Sequence, residues 1–408
     1  MFAQCMPKRE VWGDGSSAFW LGESGSLLPR IPGQSQLIYL DPPFMSGGHY
    51  CFTQKVGQEG WQGDKNYQIL RPTYGDRWRG GLEAYRNMLM PILEAGRDRL
   101  TDTGTMALHV DWRVSAHVRL MLDEVFGEDH FENEIIWAYQ SGGSSKKHFA
   151  RKHDSIFLYR KGKTMAYYPQ AVGQKRGGQR RNHLKRTVDE DGRVYFSIRS
   201  GGREYRYYED DWITPGDVWS DIPILQQKDP ERTGYETQKP RALLDRLILA
   251  LTAPGDQVCD PFSGSGTTAA SAAALGRRAL ALDREPAAAH LFRRRLWEAG
   301  AGFTMVNLAQ ADLVGKPLFA QDGDQLRLAG WDGPRPMEPK PSLLKDEGLM
   351  LDAWATGRME GDTFVGEKHC FRRASAPALA QSLPMPEKNP AVFAMDVYGG
   401  DSYWNIVP

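Results

Sequence analysis

A short apolar strand, LIYL at residues 37–40, ends abruptly on Asp41, Pro42, Pro43 and Phe44, and this ending constrains the fold strongly. Proline has no amide hydrogen to donate and fixes its own φ, so the strand must stop there. The residue before a proline is driven to an extended backbone, which makes this exit stiff. The run fits an ordinary turn. It also fits a rigid polar clamp at the C-terminal end of a strand, where open α/β sheets bind their ligands.

Apolar strands alternate with amphipathic helices on both sides of residue 200. The periodicity predicts helices at 82–100, 113–126, 241–251 and 267–275, and strands at 105–110, 134–139, 156–159, 257–259 and 278–282. Strands that alternate with helices are typical of a largely parallel sheet covered by helices on both faces. The sequence therefore predicts an α/β protein with a Rossmann-like sheet.

Composition excludes several other classes of protein. The chain has 408 residues, of which 41% are hydrophobic and 25% charged, as in ordinary globular proteins. No apolar run approaches the roughly 20 residues that span a bilayer, and residues 1–5 do not resemble a signal peptide. The cysteines Cys5, Cys51, Cys259 and Cys370 are scattered without metal-like spacing. We expect a cytoplasmic protein with free thiols, no metal site and no membrane contact.

Charge is unevenly distributed along the chain. Eleven basic residues and four acidic ones lie between 163 and 208, interleaved with aromatic side chains, whereas residues 301–408 carry fourteen acids and ten bases. Basic segments with interleaved aromatics favour binding to nucleic acid. The candidate contacts lie in the loop 140–153 and in the basic segment; they are Lys146, Lys147, Arg151, Lys152, Arg180, Arg181, Lys185 and Arg186.

These patterns divide the chain into four predicted parts. Residues 1–160 and 217–302 form the two halves of the α/β domain, and 161–216 read as an inserted recognition region with short strands near 194–198 and 204–208. Residues 303–408 are irregular and rich in Pro and Gly, with strand candidates at 326–328 and 391–397. We expect this last part to be a separate, mostly β appendage.

A glycine-containing loop follows the predicted strand 257–259. Gly264 and Gly266 allow a tight turn close to a ligand, and Thr267 begins a helix whose amides face the loop. Asp283 ends the next strand, where a carboxylate can bind a ribose diol. A dinucleotide would fit such a loop nearly as well. However, Ala269 replaces the third glycine of the phosphate fingerprint, and Asp260 would repel a pyrophosphate but suit the cationic amine of S-adenosylmethionine (AdoMet).

Three motifs together resemble the amino-methylating DNA methyltransferases: DPPF at 41–44, TQKP at 237–240 and DPFSGSGTT at 260–268. Their order, with the catalytic motif first and the AdoMet loop last, resembles the circularly permuted β class. The resemblance covers about residues 13–300. It is greatest to bacterial adenine-methylating members, including the modification subunits of restriction systems.

The resemblance implies a role for each matching residue. Asp41 and the Pro42 carbonyl would accept the amino hydrogens of a flipped-out base, Pro43 would hold the backbone, and Phe44 would stack on the base. Thr237, Gln238 and Lys239 would lie near the methionine carboxylate of AdoMet. The other implied cofactor contacts are Asp260 to the amine, Asp283 to the ribose, Phe262 packed alongside, the loop residues Gly264, Gly266 and Thr267, and Glu23, which stands where the family has Asp.

Other readings remain open at this level. Cytosine-N4 methyltransferases mostly carry Ser where this chain has Asp41, which favours adenine-N6 as the target. A catalytically silent DNA-binding subunit would retain the fold, but here both motifs are intact. The implied partner is double-stranded DNA. The resemblance leaves open a homodimer and a cognate restriction endonuclease.

Overall fold

The computed structural model describes residues 2–55, 68–140, 142, 145–176, 185–308, 313, 315–333, 351–372, 379–397 and 399–407. The strands are β1 Phe2–Cys5, β2 Arg9–Trp12, β3 Ser17–Leu21, β4 Ser35–Leu40, β5 His49–Lys55, β6 Gln68–Gly75, β7 Leu100–Asp111, β8 Phe131–Ala138, β9 His153–Arg160, β10 Gln174–Lys175, β11 Lys185–Val188, β12 Val194–Ser200, β13 Arg203–Tyr208, β14 Trp212–Ile213, β15 Val218–Trp219, β16 Gln257–Asp260, β17 Arg278–Asp283, β18 Phe303–Val306, β19 Lys316–Asp322, β20 Gln325–Asp332, β21 Leu351–Glu360, β22 Thr363–Phe371, β23 Ser382–Pro384, β24 Pro390–Asp396 and β25 Asp401–Ile406. The helices are α1 Ser24–Leu27, α2 Gly81–Arg99, α3 Ser115–Phe126, α4 Arg241–Leu251, α5 Thr267–Ala274 and α6 Pro286–Ala299.

One large mixed sheet organises the chain, in the order β1-β25-β24-β21-β22-β2-β18-β3-β17-β16-β4-β7-β9-β8-β15. The strands from β18 through β3, β17, β16 and β4 to β7 are parallel to their neighbours. Strand β9 is antiparallel to both β7 and β8. The predicted α/β class is confirmed, but the sheet is not purely parallel, since β9 runs against β7 and β8, and β2 runs against β18.

Strand β4 shows why both faces of the sheet are covered. All six of its residues are buried, and successive side chains point to opposite faces. Leu37 and Tyr39 pack in a core that contains residues of α4, α5 and α6. Ile38 and Leu40 pack in a second core that contains residues of α2 and α3. Within the described ranges, no helix combines the length and the apolar character needed to cross a bilayer.

Four neighbouring parallel strands end in a carboxylate. Asp283 ends β17, Asp260 ends β16, Asp41 directly follows β4, and Asp111 ends β7, in this order across the sheet. Because the strands are parallel and adjacent strands lie about 4.8 Å apart, the four residues share one edge, here called the carboxylate edge. Ligands of open α/β sheets bind at such an edge.

The C-terminal part differs from the expectation of a separate appendage. It is mostly β, as predicted, but β18 lies parallel to β3, and β2 pairs with both β18 and β22. The packing is ionic as well as apolar, because Arg293 of α6 lies 2.7 Å from the buried Glu10 and 3.2 Å from Asp401. The sheet is therefore continuous from β4 and β7 into the strands of the tail.

The inserted region leaves the sheet at the end opposite the carboxylate edge. The pairing of β9 with β7 runs from Asp154 beside Asp111 to Arg160 beside Thr105. The chain returns at β15, which runs parallel to β8 towards the carboxylate edge. Between these points lie the pair β10–β14 and the meander β11–β12–β13. The strands predicted near 194–198 and 204–208 are confirmed as β12 and β13.

Candidate active site

A cavity of about 650 Å³ opens over the carboxylate edge. It lies against the loop that follows β16, the start of α1 and the residues after β17. Among the described residues that line it, five are acidic and three are basic; they are Glu23, Asp41, Asp260, Asp283 and Glu285, and Arg77, Lys239 and Arg284. The charge balance favours a ligand with net positive charge over a pyrophosphate.

The glycines of the β16–α5 loop are required by its backbone. Gly264 has φ +45°, and a Cβ there would lie 3.2 Å from the ring of Tyr235. Gly266, with φ +71°, is the left-handed residue that immediately precedes α5. The Thr267 hydroxyl lies 2.9 Å from the Ser265 hydroxyl. The loop is thus held tightly, with the N-terminus of α5 beside the cavity.

Two carboxylates of this cavity, the buried Asp260 and the partly exposed Asp283, have raised pKa values. Asp260 accepts hydrogen bonds from the Thr268 hydroxyl (2.6 Å) and the Phe262 amide (2.9 Å), but its burial raises its pKa to about 7. Asp283 accepts bonds from the amides of Gly264 (2.8 Å) and Glu285 (2.9 Å), and burial raises its pKa to about 6. A cationic ligand would favour the ionised form of both groups.

The lining contains an orphaned polar atom that fits a ligand. The hydroxyl oxygen of Ser263 is buried and has no hydrogen-bond partner among the described residues. A buried polar group without a partner is costly, so a ligand that bonds to it would gain affinity. With Asp260 available for an ammonium and Asp283 for a diol, the donor and acceptor set fits AdoMet.

Of the other predicted cofactor residues, some line the cavity and one lies outside it. Phe262 and Thr237 line the cavity, and Glu23 lines it while its carboxylate lies 3.3 Å from Arg284. Gln238 lies outside it: its side chain accepts a bond from the Thr233 amide (2.8 Å) and donates one to the Glu231 carbonyl (2.8 Å). The Gln238 side chain thus braces the preceding turn, and its contact with the cofactor stays a prediction.

A second cavity of about 320 Å³ meets the first at Asp41. The two share Asp41, Tyr74, Thr237 and Lys239 in their linings. The walls of the second cavity are largely aromatic and acidic; they include Pro42, Phe44, Tyr50, Trp137, Tyr139, Asp111 and Asp154. Asp41 therefore lies at the junction between a cofactor-sized cavity and a smaller one that can hold a planar ring.

Lys239 binds Asp41 directly. Its ammonium lies 2.8 Å and 2.6 Å from the two carboxylate oxygens and 5.0 Å from the centre of the Phe44 ring. The side chains are 13% and 18% exposed, so water screens this pair only weakly. The sequence associated Lys239 with the methionine carboxylate. In this structure its ammonium binds Asp41, and the contact with the methionine carboxylate stays a prediction.

A buried hydrogen-bonded chain lies behind the second cavity. The Tyr39 hydroxyl is 2.8 Å from His109 Nδ1, His109 Nε2 is 3.1 Å from Asp154, and the Tyr139 hydroxyl donates to Asp154 at 3.0 Å. Burial alone would raise the pKa of Asp154, but its hydrogen bond and charge contact with His109 outweigh burial and lower it. The wall of the cavity thus retains a fixed negative charge.

Sequence reasoning missed Asp76, which holds the segment after Pro43. This residue is 1% exposed and accepts bonds from the amides of Phe44 (3.1 Å), Met45 (3.0 Å) and Ser46 (2.7 Å). Met45 has a positive φ of 57°, which these bonds help to maintain. The available signal was weak: an acid directly after β6, thirty residues beyond the motif that it fixes.

We expect Asp76→Asn to slow methyl transfer while leaving AdoMet binding close to wild type. An amide presents one acceptor oxygen where the carboxylate presents two, and bonds to a charged group contribute roughly 1.5–3 kcal/mol each. The loop that carries Phe44 would loosen, so kcat should fall by about 10-fold or more. Single-turnover methylation and isothermal titration with AdoMet measure the two effects. An equal loss in both would mean that Asp76 only stabilises the fold.

The predicted DNA contacts fall into two groups. Lys146, Lys147, Arg151 and Lys152 lie in the β8–β9 loop at the carboxylate edge, where the Arg151 guanidinium lies 3.7 Å from the centre of the Trp112 ring. Lys185 and Arg186 are exposed on β11 of the insertion, and Arg186 lies 3.1 Å from Glu209. Arg180 and Arg181 lie outside the described residues.

The chain is similar to known DNA methyltransferases. A family model described as DNA methylase matches residues 35–294. The type II methyltransferase M.EcaI of Enterobacter cloacae is 26% identical over 336 residues, which are 71% of this chain and 69% of that protein. The DNA adenine methyltransferase YhdJ of Escherichia coli K12 is 28% identical over 284 residues, 68% of this chain and 81% of that protein. The solved complex of M1.HpyAVI with AdoMet covers 68% of this chain and 98% of its own at 15% identity, with a TM-score of 0.39. Since the family match spans the catalytic motif, the AdoMet loop and most of the sheet, this chain belongs to the DNA methylase family of N6 and N4 methyltransferases.

Proposed function

We propose that this protein transfers a methyl group from AdoMet to the N6 amino group of a flipped-out adenine in double-stranded DNA. The observation that carries the proposal is the position of Asp41 between the two cavities. An acceptor at that junction can hold an amino group from the smaller cavity in line with a donor in the larger one. The name of the E. coli relative, a DNA adenine methyltransferase, supports adenine.

The residues act by orientation. An aromatic amine is a poor nucleophile because its lone pair is delocalised into the ring. The Asp41 carboxylate and the Pro42 carbonyl accept one amino hydrogen each, which favours the lone pair leaving the ring plane. Phe44 supplies a stacking face, and Asp41 stabilises the positive charge that develops on nitrogen. AdoMet, when bound, supplies the electrophilic methyl group; positioning governs the rate of the displacement.

Cofactor binding is assigned to the larger cavity. Asp260 and Asp283 hold the amine and ribose, Ser263 offers its orphaned hydroxyl, and Gly264, Gly266 and Thr267 form the surrounding loop. Lys239 can serve both Asp41 and a ligand carboxylate, because an ammonium has three donors.

Cytosine-N4 methylation is the alternative, since both reactions belong to the family. The deciding experiment expresses the chain as the sole methyltransferase of a bacterial host. Long-read sequencing then maps the modified motif, and mass spectrometry of the nucleosides distinguishes N6-methyladenine from N4-methylcytosine. Detection of N4-methylcytosine alone would overturn the adenine assignment, and the absence of both would overturn the activity.

Sequence recognition is proposed for the insertion 161–216, assisted by the β8–β9 loop. Two quadruple alanine variants test how they share DNA binding: one replaces Lys146, Lys147, Arg151 and Lys152, and the other replaces Arg180, Arg181, Lys185 and Arg186. Each lost phosphate contact should lower the slope of log affinity against log salt by about 0.9.

We expect the loop variant to lose more of the salt slope, because the loop lies at the carboxylate edge whereas the insertion joins the sheet at the opposite end. A changed methylation motif in the second variant would indicate base reading by the insertion. If neither variant changes affinity, salt slope or motif, DNA must be bound elsewhere.

The partners and location of the protein follow from the same proposal. M.EcaI is named a type II methyltransferase, which supports a role beside a cognate restriction endonuclease in the bacterial cytoplasm. Protection of host DNA against nucleases that cut the mapped motif would test this role. A homodimer remains part of the proposal, and its test is sedimentation of the AdoMet-bound protein with and without DNA.

A further inference from the structure

The loop between β8 and β9 is placed to reach a DNA duplex at the second cavity. Ala138 pairs with His153 at its base, and the Tyr139 amide donates to the Lys152 carbonyl at 3.0 Å. Tyr139 and Asp154, at the two feet of the loop, line the second cavity. The two ends of the loop therefore lie directly beside the site proposed for the flipped base.

Phe149 lies in this loop and is 98% exposed. Burying a Phe side chain typically contributes about 1.5–3 kcal/mol, so full exposure gives this residue no part in stabilising the fold. Its surroundings are basic: the stretch 145–153 contains Lys146, Lys147 and Arg151 and no acid. Arg151, two residues away, packs over Trp112, which directly follows Asp111 in the wall of the second cavity.

We propose that Phe149 is a wedge that enters the base stack of double-stranded DNA and fills the gap left by the flipped base. The inference rests on the proposed base-flipping function and adds a residue that drives it. An extruded base leaves unstacked neighbours, and apolar side chains inserted between base steps are a common means of stabilising such a gap. The flanking lysines would contact the phosphates on either side.

The test compares Phe149→Ala with wild type on three duplexes that contain the methylation motif. One has a normally paired target, one places the target base opposite a mismatched base, and one places it opposite an abasic site. Flipping is read by the fluorescence of 2-aminopurine at the target position, and chemistry by single-turnover methylation. Leu120→Ala, a 67% exposed apolar residue on α3, is the matched control.

We expect Phe149→Ala to reduce flipping and methylation of the paired duplex by about 5- to 150-fold, the range for stacking of one base on an aromatic ring. The defect should shrink markedly on the mismatched and abasic duplexes, where opening the pair costs little. Phe149→Trp should retain activity, and Leu120→Ala should match wild type on all three.

Two results would overturn the wedge. Phe149→Ala could behave as wild type on the paired duplex, or it could be equally defective on all three, which would indicate general docking. In either case wild-type methylation remains intact, so the proposed function survives. If the wild-type protein methylates none of the duplexes, the proposed function fails and the wedge fails with it.

Discussion

We expect Asp41→Ala to abolish methyl transfer, with a loss of about 10³-fold or more in the single-turnover rate. The variant removes the acceptor that orients the amine and the charge that stabilises the ammonium, and groups of this kind contribute roughly 10²–10⁴-fold each. AdoMet binding should persist, because Asp260, Asp283 and Ser263 lie on other elements. Transfer of radiolabelled methyl groups and calorimetry with AdoMet measure the two properties.

The Asp41→Ala variant needs a control, because Asp41 forms an ion pair with Lys239. Removal of Asp41 leaves a mostly buried ammonium without its partner, which can destabilise the fold for reasons unrelated to catalysis. The double variant Asp41→Ala with Lys239→Met removes both charges. We expect it to recover thermal stability but no activity. Substantial methylation by either variant would exclude Asp41 as the group that orients the amine.

The second large effect concerns Asp260. Replacing it with Asn should weaken AdoMet binding by roughly 1–3 kcal/mol, the typical loss of a hydrogen bond to a charged group. Burial raises the pKa of Asp260 to about 7, so in the free protein this carboxylate is increasingly protonated below neutrality. Wild-type affinity for the cationic cofactor should therefore fall as the pH drops from 7 to 5. Calorimetry of Asp260→Asn should show a smaller pH dependence.

The same substitution should also change how the folding stability of the free protein depends on pH. The pKa of Asp260 is raised in the folded state from an ordinary value near 3.8 to about 7, so the folded state binds more protons in this window and stability falls as the pH rises through it. Asn carries no charge at any pH. The melting temperature of Asp260→Asn relative to wild type should rise between pH 5 and pH 8. A constant difference across that range would mean that Asp260 is already ionised in the free protein.

The features that were predicted correctly from the sequence depend on residues that are close together in the chain. The prolines after Asp41 end β4 wherever the strand lies, and the helix predicted at 241–251 is observed as α4 Arg241–Leu251. Gly264 and Gly266 adopt the positive φ angles that glycine permits. These features depend on residues within a few positions of one another, so a single stretch of sequence carries them.

Features that join distant stretches were missed or misjudged. Asp76 lies 30 residues from Ser46, whose amide it binds, and Lys239 lies 198 residues from Asp41. The tail seemed separate because its composition changes after residue 302, whereas β18 completes the sheet beside β3. In each case tertiary packing determines which residues come into contact, and the composition of a sequence segment does not specify that packing.

The family, the α/β architecture and the two motifs that carry Asp41 and Asp260 are predictable from the sequence, because the prolines and glycines that shape each motif lie next to these residues in the chain. How the two motifs come together depends on the folded chain. Parallel pairing of β16 with β4 places the two carboxylates on one edge, where the cofactor cavity joins the smaller one at Asp41. The ion pair of Lys239 with Asp41 and the bonds of Asp76 to the segment after Pro43 also join residues far apart in the chain, and the loop that presents Phe149 is closed by the pairing of β8 with β9.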